Sequence, residues 1–165
     1  MKTLEIDSAT QVDARLDIEV DPYLPIAVRT YTAPLGAVFY RVGNFETSLI
    51  EIGIDPSTRV VRGVKAVSLD RVGKVFDWNN LPRRQGLPVV AEAALPADRI
   101  DDSREICANL SGSVLVLDWS QGEPPQYLVE HAELAFAVGD RGLIGAVISG
   151  LSEEQQALLK EHLPT

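Results

Sequence analysis

The stretch that most constrains the fold is residues 47–69, TSLIEIGIDPSTRVVRGVKAVSL, which has the pattern of two strands joined by a tight turn. Alternation along the first strand sorts its side chains onto two faces, with Ser48, Ile50, Ile52 and Ile54 on one and Leu49, Glu51 and Gly53 on the other. The turn is Asp55-Pro56-Ser57-Thr58, because proline presets φ at about −65° and the aspartate side chain can bond the backbone two residues on. The return strand carries Val61, Gly63, Lys65, Val67 and Leu69. This stretch therefore predicts a β-hairpin.

Most of the remaining chain also has strand patterns. Residues 12–20, VDARLDIEV, alternate apolar and polar side chains, which is typical of a strand with one solvent-exposed face. Further strands are predicted at 23–31, 37–42, 87–95, 113–120, 126–138 and 143–149, with a turn at 33–36 and a bend near His131. Residues 87–95 also fit a short helix, since their alanines favour helix while Val89 and Val90 favour strand.

Two helices are predicted. Ser152 followed by Gln155 has the spacing of a capping box, and the leucines that follow recur at helical spacing, so a C-terminal helix of about 11 residues is expected. Candidate N-caps at Asp101, Asp102 and Ser103 suggest a short helix near 101–108. The predicted fold class is α+β, a mostly antiparallel β-sheet of about eight or nine strands with a C-terminal helix.

Length and charge narrow the function classes. A chain of 165 residues is expected to form a single domain over 1–165, and no internal repeat is apparent. The net charge of −9 argues against nucleic acid or an anionic membrane as partner, because phosphate groups attract basic surfaces. A lone cysteine, Cys107, fits a reducing compartment, and no signal-peptide or membrane-spanning pattern is visible. The cytoplasm is therefore the expected location.

Residues able to perform catalysis are few. His131 lies between Glu130 and Ala132, but neighbouring strand residues point to opposite faces, so a metal site there is not expected. His162 falls near the end of the predicted helix, where a partial positive charge suits the helix dipole. Neither a phosphate-binding loop nor a nucleophile elbow is present. The expectation is a protein without a metal, cofactor or enzymatic activity, although catalytic groups can converge from distant positions.

Two segments resemble a known protein family. They are LIEIGIDPSTRVVRGVKAVSL at 49–69 and LAFAVGDRGLIGAVISGLSEEQQALLKEHL at 134–163. A similar hairpin, and a similar terminal strand followed by a helix opening with L-S-E-E, are found in bacterial immunity proteins of polymorphic toxin and contact-dependent growth inhibition systems. The commonest form of that hairpin has glycine where this chain has Arg59. The resemblance implies a protein that binds a cognate toxin and neutralises it by occlusion, with no catalytic residues of its own.

The resemblance also suggests where to look for an interface. Many such toxins are nucleases with basic clefts, which an acidic partner would attract. The candidate interface residues are acidic side chains and a neighbouring tryptophan: Asp98, Asp101, Asp102, Glu105, Asp118, Trp119 and Glu123. The alternative interface is the basic loop with Trp78, Arg83 and Arg84, which would suit an acidic toxin surface. The competing interpretations are a small-ligand-binding or scaffold protein of the same fold and an enzyme of unrecognised type.

Overall fold

The computed structural model describes residues 3–30 and 37–164, and these form fourteen strands and two helical segments. The strands are β1 (Ile6–Thr10), β2 (Leu16–Glu19), β3 (Ile26–Thr30), β4 (Val38–Gly43), β5 (Leu49–Ile54), β6 (Val61–Ser68), β7 (Arg83–Gln85), β8 (Leu87–Val90), β9 (Arg99–Ser103), β10 (Cys107–Ser111), β11 (Val114–Asp118), β12 (Tyr127–His131), β13 (Leu134–Val138) and β14 (Leu143–Ile148). The helical segments are the 3-10 turn Glu92–Ala94 and α1 (Glu153–His162). The predicted turn at 33–36 and residue 31 lie outside the described residues.

The strands form two large sheets and one small one. The front sheet has the order β2-β3-β6-β5-β4-β9, the back sheet has the order β10-β11-β14-β13-β12-β7, and β1 pairs with β8. The pairs β4–β9 and β7–β12 are parallel, and the other pairs of named strands are antiparallel. Apolar side chains of both large sheets, such as Ile52 and Phe136, share one core, as in a β-sandwich. The α+β class with mostly antiparallel sheet is confirmed, with more strands than predicted.

The predicted hairpin is formed by β5 and β6. The alternating isoleucines of β5 are fully buried, and the Asp55 carboxylate accepts a hydrogen bond from the Ser57 N–H at 2.9 Å. Burial raises the pKa of Asp55, but the hydrogen bonds from Ser57 and Thr58 outweigh it and lower the pKa below its usual value. A β-bulge after Gly53 shifts the register, so β6 buries Val61 and Val64 and leaves Gly63 partly exposed between them.

Other predicted strands are found with different bounds. Residues 126–138 divide into β12 and β13 at the expected bend, and 87–95 contain both a strand and a 3-10 turn. The long strand predicted at 12–20 covers only Leu16–Glu19. Strands β1, β7, β9 and β10 were not predicted.

The two helix predictions have opposite outcomes. The capping box of α1 is present: the Gln155 N–H donates to Ser152 Oγ at 3.1 Å, and the Ser152 N–H donates to Gln155 Oε1 at 3.0 Å. The short helix near 101–108 is wrong, because this segment instead forms the end of β9 and the start of β10. Pairing of β9 with β4 overrides the local capping preference. Among the described residues, no helix is long and apolar enough to cross a lipid bilayer.

An internal structural repeat organises the two large sheets. The units β2–β6 and β10–β14 have the same strand order, and each consists of a hairpin followed by a three-stranded meander. In each unit the second strand of the hairpin pairs with the last strand of the meander. Each unit adds a parallel strand beside the first meander strand, β9 next to β4 and β7 next to β12. The chain therefore contains two copies of one sheet, although the sequence shows no repeat.

Candidate protein-binding surface

The outer face of the front sheet carries a groove of about 480 Å³. Its floor follows one row of paired residues across four strands: Arg29 lies opposite Gly63, Gly63 opposite Gly53, and Gly53 opposite Phe39. The two glycines leave a gap in this row between the guanidinium of Arg29 and the ring of Phe39, which is 38% exposed. We call this groove, with its floor at Gly53 and Gly63, the glycine trough.

The two glycines of the trough have different backbone surroundings. A Cβ placed on Gly63 would lie 2.6 Å from the Val28 carbonyl oxygen, so a larger residue would push β6 away from β3. A Cβ placed on Gly53 would have the ring of Phe39 as its nearest neighbour, at 3.8 Å, which is an ordinary contact. Glycine is therefore demanded by packing at position 63 but not at position 53.

The walls of the trough carry charged side chains of both signs. Arg29, Arg62 and Lys65 line it together with Glu19 and Glu51. Lys65 Nζ lies 3.1 Å from Glu51 Oε1, and Arg29 Nη2 lies 3.2 Å from Glu19 Oε2. These pairs are partly solvent-exposed, so each contributes only about 0–1 kcal/mol and can exchange partners easily. The third cation, Arg62, lies 3.9 Å from the buried Asp55 carboxylate, so each cation of the trough stands beside a carboxylate.

An exposed aromatic residue lies in the loop between β2 and β3, next in sequence to a residue of the trough. Leu24 lines the trough, and the preceding residue, Tyr23, is 93% exposed. The carboxylate of Asp21 fixes this loop by accepting hydrogen bonds from the N–H groups of Tyr23 and Leu24, each at 2.7 Å. An exposed tyrosine on a loop that is fixed by hydrogen bonds is the kind of residue that anchors protein interfaces.

The acidic residues predicted as an interface are dispersed. Asp98 and Glu105 are exposed, and Asp101 lies on β9 within reach of Arg41 at 3.2 Å. Asp118 is partly buried and accepts a hydrogen bond from the backbone N–H of Phe76 at 3.0 Å. Of the other three, Glu123 lines a separate pocket of about 290 Å³, and Asp102 and Trp119 are buried.

Asp102 and Trp119 belong to a buried polar cluster and cannot contact a partner at the surface of this structure. Tyr40 donates its hydroxyl hydrogen to Asp102, and Arg104 Nε lies 2.8 Å from the same carboxylate oxygen. Arg104 also donates to the Trp119 carbonyl at 3.3 Å. Burial, together with the hydrogen bond to Asp102, raises the pKa of Tyr40 far above its usual value. The cluster tethers β9 to β4 inside the sandwich, which is a structural role.

The alternative interface residues lie on the back sheet. Trp78 is partly buried in a second apolar cluster on the outer face of that sheet, whereas Arg83 and Arg84 are exposed on β7. The Arg84 guanidinium stacks 3.8 Å from the centre of the Tyr127 ring, and Arg83 Nη1 donates to Glu130 at 2.7 Å. These contacts hold the short strand β7 against β12.

The histidines and the cysteine are also held in structural contacts. Each histidine donates from Nε2 to a backbone carbonyl at 2.6 Å, His131 to Ala14 and His162 to Asp21. Burial, aided by the nearby Asp118 carboxylate, raises the pKa of Cys107, so the nucleophilic thiolate is disfavoured. Among the described residues, no group of three or more His, Cys, Asp or Glu side chains could hold a metal ion.

Sequence reasoning did not find the glycine trough. Its residues come from β2 to β6, and only the pairing register brings Arg29 and Phe39 into one row with the glycines. The usable signal was Gly53 in the middle of a strand, since such a glycine often marks a close approach by another group. No protein-family model matches this chain, and no curated protein is significantly similar to it in sequence.

Proposed function

We propose that this protein is a non-catalytic binding protein that neutralises a toxin protein in the cytoplasm by covering it. This is the mode of action of the bacterial immunity proteins that its hairpin and C-terminal segment resemble. The observation that supports it best is the glycine trough, a preformed depression beside two exposed aromatic side chains, Tyr23 and Phe39. Exposed aromatic and arginine side chains around a depression are the usual anchors of a protein interface.

Hydrogen bonds and ion pairs hold the titratable groups in place, which favours binding over catalysis as the function. Tyr40 and Asp102 are buried and bonded to each other, and both histidines are bonded to backbone carbonyls. Glu130 lines a small pocket with His131, but its carboxylate is held by Arg83 at 2.7 Å and Gln85 at 2.9 Å. Burial raises the pKa of Glu130, yet these hydrogen bonds outweigh it and keep the pKa below its usual value. A carboxylate held in this way is poorly suited to proton transfer at neutral pH.

Occlusion requires a surface large enough for stable association. A specific interface of standard size buries about 800 Å² on each partner. The outer face of the front sheet offers the trough, the Tyr23 loop and the Arg41–Asp101 pair on adjoining strands. Asp101, one of the acidic residues suggested by the sequence, therefore shares a face with the trough.

The test is neutralisation of a toxin encoded by the adjacent reading frame. Co-expression should restore growth, and the two proteins should co-purify with nanomolar affinity. Phe39→Ala and Tyr23→Ala should each weaken binding at least tenfold, because truncating an interface anchor removes about 2 kcal/mol or more. Val72→Ala, which shortens an exposed apolar side chain beside β10, is the matched control. Absence of both binding and growth rescue would refute the proposal.

A second candidate function is binding of a small polar molecule. It is favoured by the pocket of about 290 Å³ lined by Arg104, Glu123 and Arg141. In the described part of the chain, Glu123 Oε2 is buried without a hydrogen-bond partner. Thermal unfolding in the presence of a panel of small cations, amines and sugars tests this function. A shift that is lost in Glu123→Gln supports it, and no shift with any compound rejects it for these classes.

A further inference from the structure

The internal repeat gives each position of the glycine trough a counterpart on the back sheet. The front row Arg29–Gly63–Gly53–Phe39 is matched by the row Asp118–Gly145–Ala137–Leu128, which pairs in the same order across the equivalent strands. Both rows have a register shift at the same place, directly after Gly53 and Ala137. The outer faces of the two sheets therefore share the same strand pairing and register but carry different side chains.

On the back sheet this surface is covered by another part of the chain. Residues 75–81 lie across it and pack Val75, Phe76, Trp78 and Leu81 onto its apolar cluster. Phe76 sits directly on Gly145, since a Cβ on that glycine would lie 2.4 Å from the ring. The backbone N–H of Phe76 donates to Asp118, the residue at the end of the row, at 3.0 Å. Together with the packing of the other apolar side chains, one ring over a glycine and one hydrogen bond at the row's end hold the covering segment in place.

On the front sheet the equivalent glycine, Gly63, lines the trough, and no apolar segment among the described residues packs over it. Six back-sheet positions form the covered cluster, namely Val116, Leu128, Ala135, Ala137, Ile144 and Val147. Their front-sheet counterparts all line the trough: Ala27, Phe39, Glu51, Gly53, Arg62 and Lys65. At the row's end, Arg29 stands where the back sheet has Asp118, so a hydrogen-bond donor replaces an acceptor. The wall residues Arg62 and Lys65 replace Ile144 and Val147 with cations, which lie beside the carboxylates of Asp55 and Glu51.

We propose that the glycine trough binds an extended segment of the partner protein in the way that residues 75–81 cover the back sheet. The hydrogen-bond donor and acceptor at the end of the row are exchanged. The segment inserts a large apolar side chain, preferably aromatic, over Gly63 and Gly53. It presents an acceptor to Arg29, either a backbone carbonyl or a carboxylate, and an acidic residue nearby meets Arg62 and Lys65. This inference rests on the proposed function for the identity of the partner, but the chemistry of the segment follows from the repeat alone.

The test uses a phage-displayed library of random 12-residue peptides selected on the full chain. Enriched peptides should combine an aromatic or large aliphatic residue with Asp or Glu within a few positions. Their affinities are then measured by fluorescence anisotropy for three variants. Gly53→Leu fills the trough and should weaken binding at least tenfold. Arg29→Glu should do the same, because it replaces the donor to the peptide's acceptor by a carboxylate that repels it. Gly73→Leu is the matched control, because a Cβ there meets Cys107 Sγ at an ordinary 3.6 Å.

Several outcomes would overturn this inference. They are enrichment of basic peptides, affinities that Gly53→Leu leaves unchanged, or no enriched peptide at all. A dimer in sedimentation that Gly53→Leu dissociates would show that a second copy of the chain occupies the trough, and it would also refute the segment proposed here. Circular dichroism and thermal unfolding establish whether each variant folds. If Gly53→Leu does not fold, Arg29→Glu still tests the proposal.

The growth assay separates this inference from the proposed function. If Gly53→Leu still neutralises the toxin fully, the trough is not the interface, but toxin neutralisation stands. If acidic aromatic peptides bind the trough while no toxin is neutralised, the inference stands and the proposed function fails.

Discussion

Truncation of Phe76 tests the template from which the partner segment is inferred. Phe76→Ala removes the ring that covers Gly145 and leaves the backbone hydrogen bond to Asp118 in place. Replacing a fully buried phenylalanine by alanine destabilises a protein by about 3–5 kcal/mol. Phe76 keeps part of its surface in solvent, so we expect a loss of about 2 kcal/mol, or a fall of roughly 4–8 °C in Tm for a chain of this size.

Urea denaturation measures this loss, and the emission of Trp78 shows where it arises. Trp78 lies in the same apolar cluster and should shift to longer wavelength, whereas Trp119 is fully buried in the main core and should not change. Phe45→Ala is the control, because Phe45 is 36% exposed and lies outside this cluster. An unchanged unfolding midpoint together with unchanged Trp78 emission would show that residues 75–81 are not held by this contact.

Three further predictions concern stability. Asp102→Ala should lower the free energy of unfolding by about 3–5 kcal/mol in urea denaturation, because it leaves a buried arginine without its counter-charge. Stability should fall as the pH drops below about 4, since Asp55 has a lower pKa in the folded chain than in the unfolded one, and Asp55→Asn should flatten that fall in a pH series. Gly63→Ala should lower Tm because its Cβ meets a carbonyl, whereas Gly53→Ala should leave Tm unchanged or raise it.

Local rules in the sequence predicted the elements whose partners are close in the chain. The turn at Asp55 and the capping box at Ser152 depend on contacts within three residues, and both are present. The strand β9 was mistaken for a helix because its partner, β4, lies far away in the chain. The side chain of Asp102 bonds to Tyr40 in the core, so the residue that suggested a helix cap is held inside the sandwich.

The candidate site could not be predicted from the sequence, because a β-bulge changes which side chains of β6 are buried. Strict alternation would place Val61, Gly63 and Lys65 on one face of the return strand. The register shift after Gly53 instead buries Val61 and turns Gly63 and Lys65 toward solvent. A single extra residue therefore creates the floor of the trough, and periodicity alone does not reveal where it is inserted.

Gly53 is the residue at which a binding surface and an ordinary solvated surface lead to different expectations. A glycine inside a strand lowers the stability of a protein by about 0.5–1 kcal/mol relative to alanine. A Cβ at position 53 would lie 3.8 Å from the Phe39 ring, so packing does not require glycine there. The equivalent position on the covered back sheet is Ala137, so the fold accepts a side chain there. If solubility were the only demand on the front sheet, a polar side chain at position 53 would satisfy it and would also stabilise the strand. A stability gain in Gly53→Ala, combined with weaker partner binding, would show that the trough is kept open for function at the expense of stability.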